Sequence, residues 1–269
     1  MPDWLLDLLD HLPSETAALY FSLFFVAVAW FGVIFVRPIF RLWLRRQHGI
    51  NDIVSYASAG FSLFYGLLLG LLSVAAYSNA KEISGFVSRE AAGLATMYRT
   101  AEAYPEPIRG ELRYLLRDYT RYVINREWPS YQDGRVPLGG DNRLQAIRAT
   151  LLSFEPPTAT QQIAHGSVLQ GFNDMVNLRQ QRIGGVDPSI PGVLWYTVGI
   201  GAAITIIFIL LLDVRFTFHL FISGLITFFL GLMVFIIYVQ DRPLRSDVAA
   251  SAAPFVQAYE TVMRWDDGG

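Results

Sequence analysis

Four stretches of the chain, residues 16–36, 57–78, 191–212 and 217–239, contain no Asp, Glu, Lys or Arg. Each is close to the roughly 20 apolar residues a helix needs to cross a bilayer core. In lipid the backbone must satisfy its own hydrogen bonds, so single blocks of this length span as helices. The charged residues, 16% of the sequence against 53% hydrophobic, fall between these blocks. A soluble domain would carry about a quarter charged residues. The longest polar stretch, residues 79–190, separates the second block from the third. The fold class predicted is an all-α membrane protein of four transmembrane helices, with a helical domain inserted between the second and third. The expected boundaries are 1–56 for the N-terminal segment, first span and basic loop, and 57–104 for the second span with a long extension. A helical extramembrane domain follows over 105–187, then the third and fourth spans over 188–240 and a C-terminal segment over 241–269.

Composition removes several function classes. A net charge of −2 gives no basic field for nucleic acid. With no cysteine there is no disulfide, thiolate nucleophile or Cys-ligated metal. His11, His48, His165 and His219 lie far apart without metal-ligand spacing. No Walker, GxSxG or HExxH pattern occurs, so no catalytic residue, metal or cofactor is expected. The opening MPDWLLDLLDHLPSET is acidic where a signal peptide is basic, and the first block is expected to be a retained helix.

The second block runs into charged sequence without a turn signal: FSLFYGLLLGLLSVAAYSNAKEISGFVSRE. Beyond Glu82, Ile83, Val87, Leu94, Met97, Tyr98 and Ala101 keep a helical stripe. The pattern predicts one helix of about 45 residues, ~65–70 Å long, ending at Tyr104-Pro105 because a residue before proline leaves the helical region. A second helix is expected from near Pro105, with Leu112, Leu115, Leu116, Tyr119 and Val123 on one face. Glu127-Trp128-Pro129 reads as its stop, with Trp128 as a docking anchor. WPSYQDGRVPLGGDN reads as a loop, and Asp141 as the cap of a short helix reaching Phe154. After Pro156-Pro157, a last amphipathic helix carries Ile163, Leu169, Phe172, Met175 and Leu178 to Gly184-Gly185.

Three sets of residues stand out. Leu63, Leu67 and Leu71 share a face of the second span, and Gly66 and Gly70 form a small-xxx-small pair that permits close helix approach. Around an axis such leucines would make a hydrophobic constriction that gates by dewetting; the same spacing is expected of leucines facing lipid. Arg109, Arg113, Arg117 and Arg121 recur every fourth residue. They could concentrate anions in a vestibule, or form a solvated face paired with Glu106, Glu111 and Asp118. Glu90 interrupts the apolar stripe between Val87 and Leu94, and a buried carboxylate needs a partner, either Arg89 or an arginine of the next helix.

Charge asymmetry sets the expected orientation. Arg37, Arg41, Arg45 and Arg46 follow the first span, whereas Asp3, Asp7, Asp10 and Glu15 precede it. The positive-inside rule puts that loop in the cytoplasm. Alternation then puts the helical domain and the C-terminus outside.

FSLFYGLLLGLLSVAAYSNAKE resembles the second transmembrane helix of the bestrophin anion channels, with Gly70 followed seven residues later by Tyr77. REAAGLATMYR, YPEPIRGELRYLLRDYTRYVINREWP and DRPLRSDVAASAAPF are more similar to a bacterial bestrophin-like family. The motif residues are Glu90 and Ala91; Tyr119, Val123, Glu127, Trp128 and Pro129; and Asp241 and Pro243, within a resemblance running from about Ala57 to Met263. The resemblance implies a bacterial inner-membrane protein, a four-span subunit of a homo-oligomer (a pentamer in bestrophins). Its second helices would line a pore for small anions such as chloride, with the neck at Leu63, Leu67 and Leu71. Bestrophins carry aromatics or isoleucine at the neck. The acidic cluster that binds calcium in animal bestrophins is replaced by IIYVQ before Asp241, so calcium gating is not expected. Bestrophins also keep the corresponding domain in the cytoplasm, against the orientation given by the arginines. Two readings follow: an anion channel, and a non-conducting membrane-anchored sensor or scaffold whose helical domain binds a ligand or partner protein.

Overall fold

The computed structural model describes residues 14–44, 49–245 and 250–264, and among these no strand occurs. Asp3, Asp7, Asp10, His11, Arg45, Arg46 and His48, and the side chain of Arg41, lie outside the described residues. The helices are α1 (Ser14–Phe31), α2 (Arg37–Leu44), α3 (Ile50–Thr100), α4 (Ile108–Tyr122), α5 (Trp128–Gln132), α6 (Gly139–Ser153), α7 (Ala159–Gly184), α8 (Gly192–Leu211), α9 (Phe216–Asp241) and α10 (Ala253–Ala258). Four are long and apolar enough to cross a membrane: Glu15–Phe40, Ile50–Ala103, Gly192–Leu211 and Phe216–Asp241. Three of the charge-free blocks fall within them, and the third, 191–212, overruns Gly192–Leu211 by one residue at each end. The second begins earlier than the apolar block, at Ile50, so the 51-residue α3 is longer than expected.

Two π-helical turns, Gly32–Val36 and Val123–Glu127, each end two residues before a proline, Pro38 and Pro129. Proline has no N–H for the carbonyl four residues back, and its ring crowds that carbonyl. A widened turn absorbs both problems. The chain therefore continues helically through Pro129 into α5, and the expected helix stop at Glu127-Trp128-Pro129 is corrected. The loop expected from Trp128 shrinks accordingly. Asp141 is not a cap either: α6 starts at Gly139 with Leu138 at the N-cap, and Asp141 lies in its first turn.

The chain divides into two compact units, Met1–Asn79 with Pro188–Asp241, and Ala80–Asp187 with Arg242–Gly269. In the first, α1 lies along α9. Phe21 packs its ring 5.4 Å from Phe25 and 5.6 Å from Phe235. A Cβ at Gly231 would come 2.8 Å from the Ser22 Cα, so backbone meets backbone there, as small residues permit between membrane helices. Tyr65 of α3 lies against Gly201 of α8 and donates to the Val198 carbonyl at 2.9 Å.

The second unit has its own core. The stripe of α3 (Ile83, Val87, Leu94, Met97, Tyr98, Ala101) is buried as the periodicity predicts, against Leu112, Leu116, Tyr119, Ile147, Leu151, Phe172, Met175 and Phe255. On α7 the inward face differs from expectation. Ile163 is exposed, and the buried positions run Val168, Phe172, Met175, Arg179, Arg182. Steps of four and three keep these five on one side, and the last two are cations.

Candidate functional site

Glu90 and Glu127 are fully buried, at 0% exposure, in the second unit. The two arginines that end the inward face of α7 answer them. Arg182 donates from Nε to Glu90 Oε2 at 2.6 Å and from Nη2 to Glu90 Oε1 at 3.1 Å, a bidentate fork. Its Nη2 also reaches Glu127 Oε2 at 3.2 Å, and Nη1 donates to the Tyr131 hydroxyl. Arg179 donates to Glu127 Oε1 at 2.6 Å and lies 3.2 Å from Asp141. Tyr119 donates to Glu90 at 2.7 Å, and Tyr131 to Glu127 at 2.9 Å. Two buried carboxylates thus meet two buried guanidiniums, and two phenols take further lone pairs. Such pairing is what burial of charge requires, and only Arg179 falls short of it, its Nε being buried without a hydrogen-bond partner.

Burial, and then the Glu90 carboxylate, push the Tyr119 phenol well above its ordinary value. Tyr131 is raised by burial too. Burial is the largest influence on Arg182 and lowers it, but Glu90, Tyr119 and Tyr131 together outweigh it and hold the guanidinium well above its ordinary value. With both phenols raised and the Arg182 guanidinium held charged, these three groups suit a structural hub.

The backbone leaves no spare room beside it. A Cβ at Gly140 would come 1.9 Å from Glu127 Oε1 and 2.2 Å from Arg179 Nη2, so only glycine fits. The expected partners of Glu90 are corrected. Arg89 hydrogen-bonds its own helix at Gly85 and stacks over Phe86, and the true partner, Arg182, is 92 residues away. The structure therefore brings together Glu90, Tyr119 and Glu127 from separate motifs. Arg179, Arg182 and Tyr131 were missed, although the i, i+3 arginines on the apolar face of α7 were the available signal.

Trp128 packs against Tyr131 and Phe255, ring centroids 5.8 and 6.3 Å away. Pro129 lies in the first turn of α5, and Pro243 is buried. Asp241 is a separate device within the first unit. Its Oδ1 accepts from the Ser189 and Ile190 amides at 2.9 and 2.7 Å and from the Ser189 hydroxyl, and its Oδ2 from Trp195 Nε1 at 3.1 Å. The last residue of α9 thus ties down the entry to α8.

Arg109, Arg113, Arg117 and Arg121 all have partners. Arg109 pairs with Glu106 at 2.7 Å. Arg113 reaches Glu102 at 3.8 Å and stacks on Tyr98, whose hydroxyl accepts from Arg117 at 2.7 Å. Arg121 lies over Tyr259. Glu111 and Asp118 turn away, to Thr150 and Arg143. Among the described residues no group of three or more His, Asp or Glu could hold a metal ion.

Leu63, Leu67 and Leu71 are exposed at 71%, 61% and 62%. A Cβ added at Gly66 or Gly70 would meet nothing within 4 Å. Gly201 and Gly231 are among the glycines that meet other helices of the chain instead.

No curated protein and no solved structure matches the chain. The bestrophin-like domain matches residues 23–255, which carries the resemblance, traced above from Ala57, back through most of the first span. With four helices able to cross a bilayer and a match over most of its length, this multi-pass membrane protein belongs to the bestrophin-like family.

Proposed function

We propose that the protein is the subunit of a homo-oligomeric channel for small anions, with Leu63, Leu67 and Leu71 as a hydrophobic gate. The observation that carries this reading is the bare leucine face of α3, with no helix among the described residues against it and open space at Gly66 and Gly70. A ring of such faces, five in the bestrophin arrangement, would narrow to stacked apolar girdles able to exclude water. The protein is not an enzyme on this reading. Residues 105–187 form an extramembrane helical domain inserted between the second and third spans, on the outer side of a bacterial inner membrane by the charge rule.

Chloride flux into liposomes containing the purified oligomer, wild type beside Leu67→Ala, tests the gate. Flux should rise in the variant, because a shorter side chain widens and wets the constriction. No flux from either protein, shown folded and oligomeric, would sink the channel. A non-conducting sensor or scaffold is the second reading. It is favoured by the carboxylates beside Arg109 and Arg113, which offset part of any anion-concentrating field.

A further inference from the structure

The first unit holds a pocket of ≈ 530 Å³ lined by Arg37, Asp213, Val214, Arg215, Phe216 and Phe218. It forms where α8 ends at Leu211 and α9 begins at Phe216, so it sits at the boundary where lipid headgroups lie. Arg37, 7% exposed, donates to the Val214 carbonyl at 2.5 Å and lies 3.5 Å from Asp213. Asn51 fixes the Asp213 backbone from both sides, accepting from its N–H at 2.9 Å and donating to its carbonyl at 3.0 Å. The hairpin is therefore built rather than slack, and Arg215 projects from it, exposed.

Two guanidiniums against one carboxylate leave the lining net positive. The first turn of α9 adds amides that have no acceptor within the helix. One turn further in, His219 is 2% exposed. At least one of its ring nitrogens has no protein partner. The apolar side is also present, since Phe216 and Phe218 are exposed, as are Phe35 and Ile39 near Arg37. A free anion would use the cations and ignore those rings. Basic pockets between membrane helices, rimmed by apolar surface, suit a molecule with an anionic head and hydrocarbon tails.

We propose that this pocket binds the phosphate of an anionic phospholipid, Arg215 and Arg37 taking the headgroup while Phe216 and Phe218 lie along the acyl chains. The site does not depend on conduction.

The full-length protein, delipidated in neutral detergent, is titrated with phosphatidylglycerol, phosphatidylcholine or inorganic phosphate while bound lipid is counted by native mass spectrometry and thermal stability is followed. Wild type should bind phosphatidylglycerol about fivefold more tightly than phosphatidylcholine, the increment expected for one basic residue at a headgroup. Arg215→Ala should remove most of that preference and Arg215→Glu all of it, whereas Arg215→Lys should retain it. Because Arg215 is exposed, all three variants should melt with wild type before lipid is added. No headgroup preference in wild type, or a preference that survives Arg215→Glu, overturns the proposal. Equal stabilisation by inorganic phosphate overturns the lipid assignment and leaves a free-anion site.

Discussion

The side chains that hold the second unit together are ones a hydrophobicity pattern discards. Arg179 and Arg182 occupy the register of Met175 and Phe172 on α7, yet as cations they look like surface. Glu90 was legible as an anomaly because an apolar stripe enclosed it. Its partner was not, since pairing across 92 residues leaves no local spacing to read. Removing one side of a buried pair strands the other charge, at a cost of about 3–5 kcal/mol. Arg182→Gln should therefore lower the melting temperature sharply, and combining it with Glu90→Gln should restore part of the loss, both read by intrinsic fluorescence in detergent. An additive double variant would show that the two groups are not coupled. Tyr119 gives a pH dependence. Its folded value lies above the ordinary 10.0, so its stabilising contribution is complete below that pH. As pH rises further, the unfolded chain releases a proton that the fold retains, and stability falls. Tyr119→Phe should flatten this alkaline loss in a melting-temperature series from pH 8 to about 11, while costing ~1–3 kcal/mol at neutral pH for the hydrogen bond lost at Glu90.

At the scale of the element, the four spans and the long helix were readable because length and charge exclusion depend on local sequence alone. The π turns were not, because proline announces a break without saying whether the chain stops or widens. Glycine function was likewise ambiguous. Gly66-xxx-Gly70 has the spacing of a packing motif and packs against nothing among the described residues, while Gly201 and Gly231, spaced by four from Thr205 and Thr227 rather than from another glycine, carry close contacts. The two kinds of position should respond differently to substitution. Gly201→Leu drives a side chain into Tyr65 and should destabilise the first unit by ~1–3 kcal/mol. Gly66→Leu should leave the melting temperature of the subunit unchanged and act on assembly, visible as altered oligomer mass by light scattering. A large loss of subunit stability from Gly66→Leu would show that this face is already occupied.

For the whole molecule, the resemblance to bestrophins and the charge rule imply opposite sides of the membrane for the 105–187 segment. The cysteine-free sequence makes a direct test available. Gly134 is the obvious loop position, but it has φ +68° and a Cβ there would come 2.2 Å from Arg245 Nη2, so a cysteine would disturb the fold. Leu138, 76% exposed, has neither problem. Leu138→Cys should react with an impermeant maleimide on intact cells if the segment is extracytoplasmic. Labelling only after lysis would place it in the cytoplasm and show that the first-loop arginines mislead.

The distance along the chain between Glu90 and Arg182 also sets a schedule for synthesis. At about 5–20 residues per second, Glu90 is added to the growing chain roughly 5–18 s before Arg182. During that interval the inner face of α3 carries an acid with no guanidinium to meet it, and it cannot close into a dry core. The newborn second span and its extension must wait, with Val87 and Leu94 uncovered, until α7 arrives. Chaperone capture of ribosome-bound chains should be strongest for those that end between these two residues.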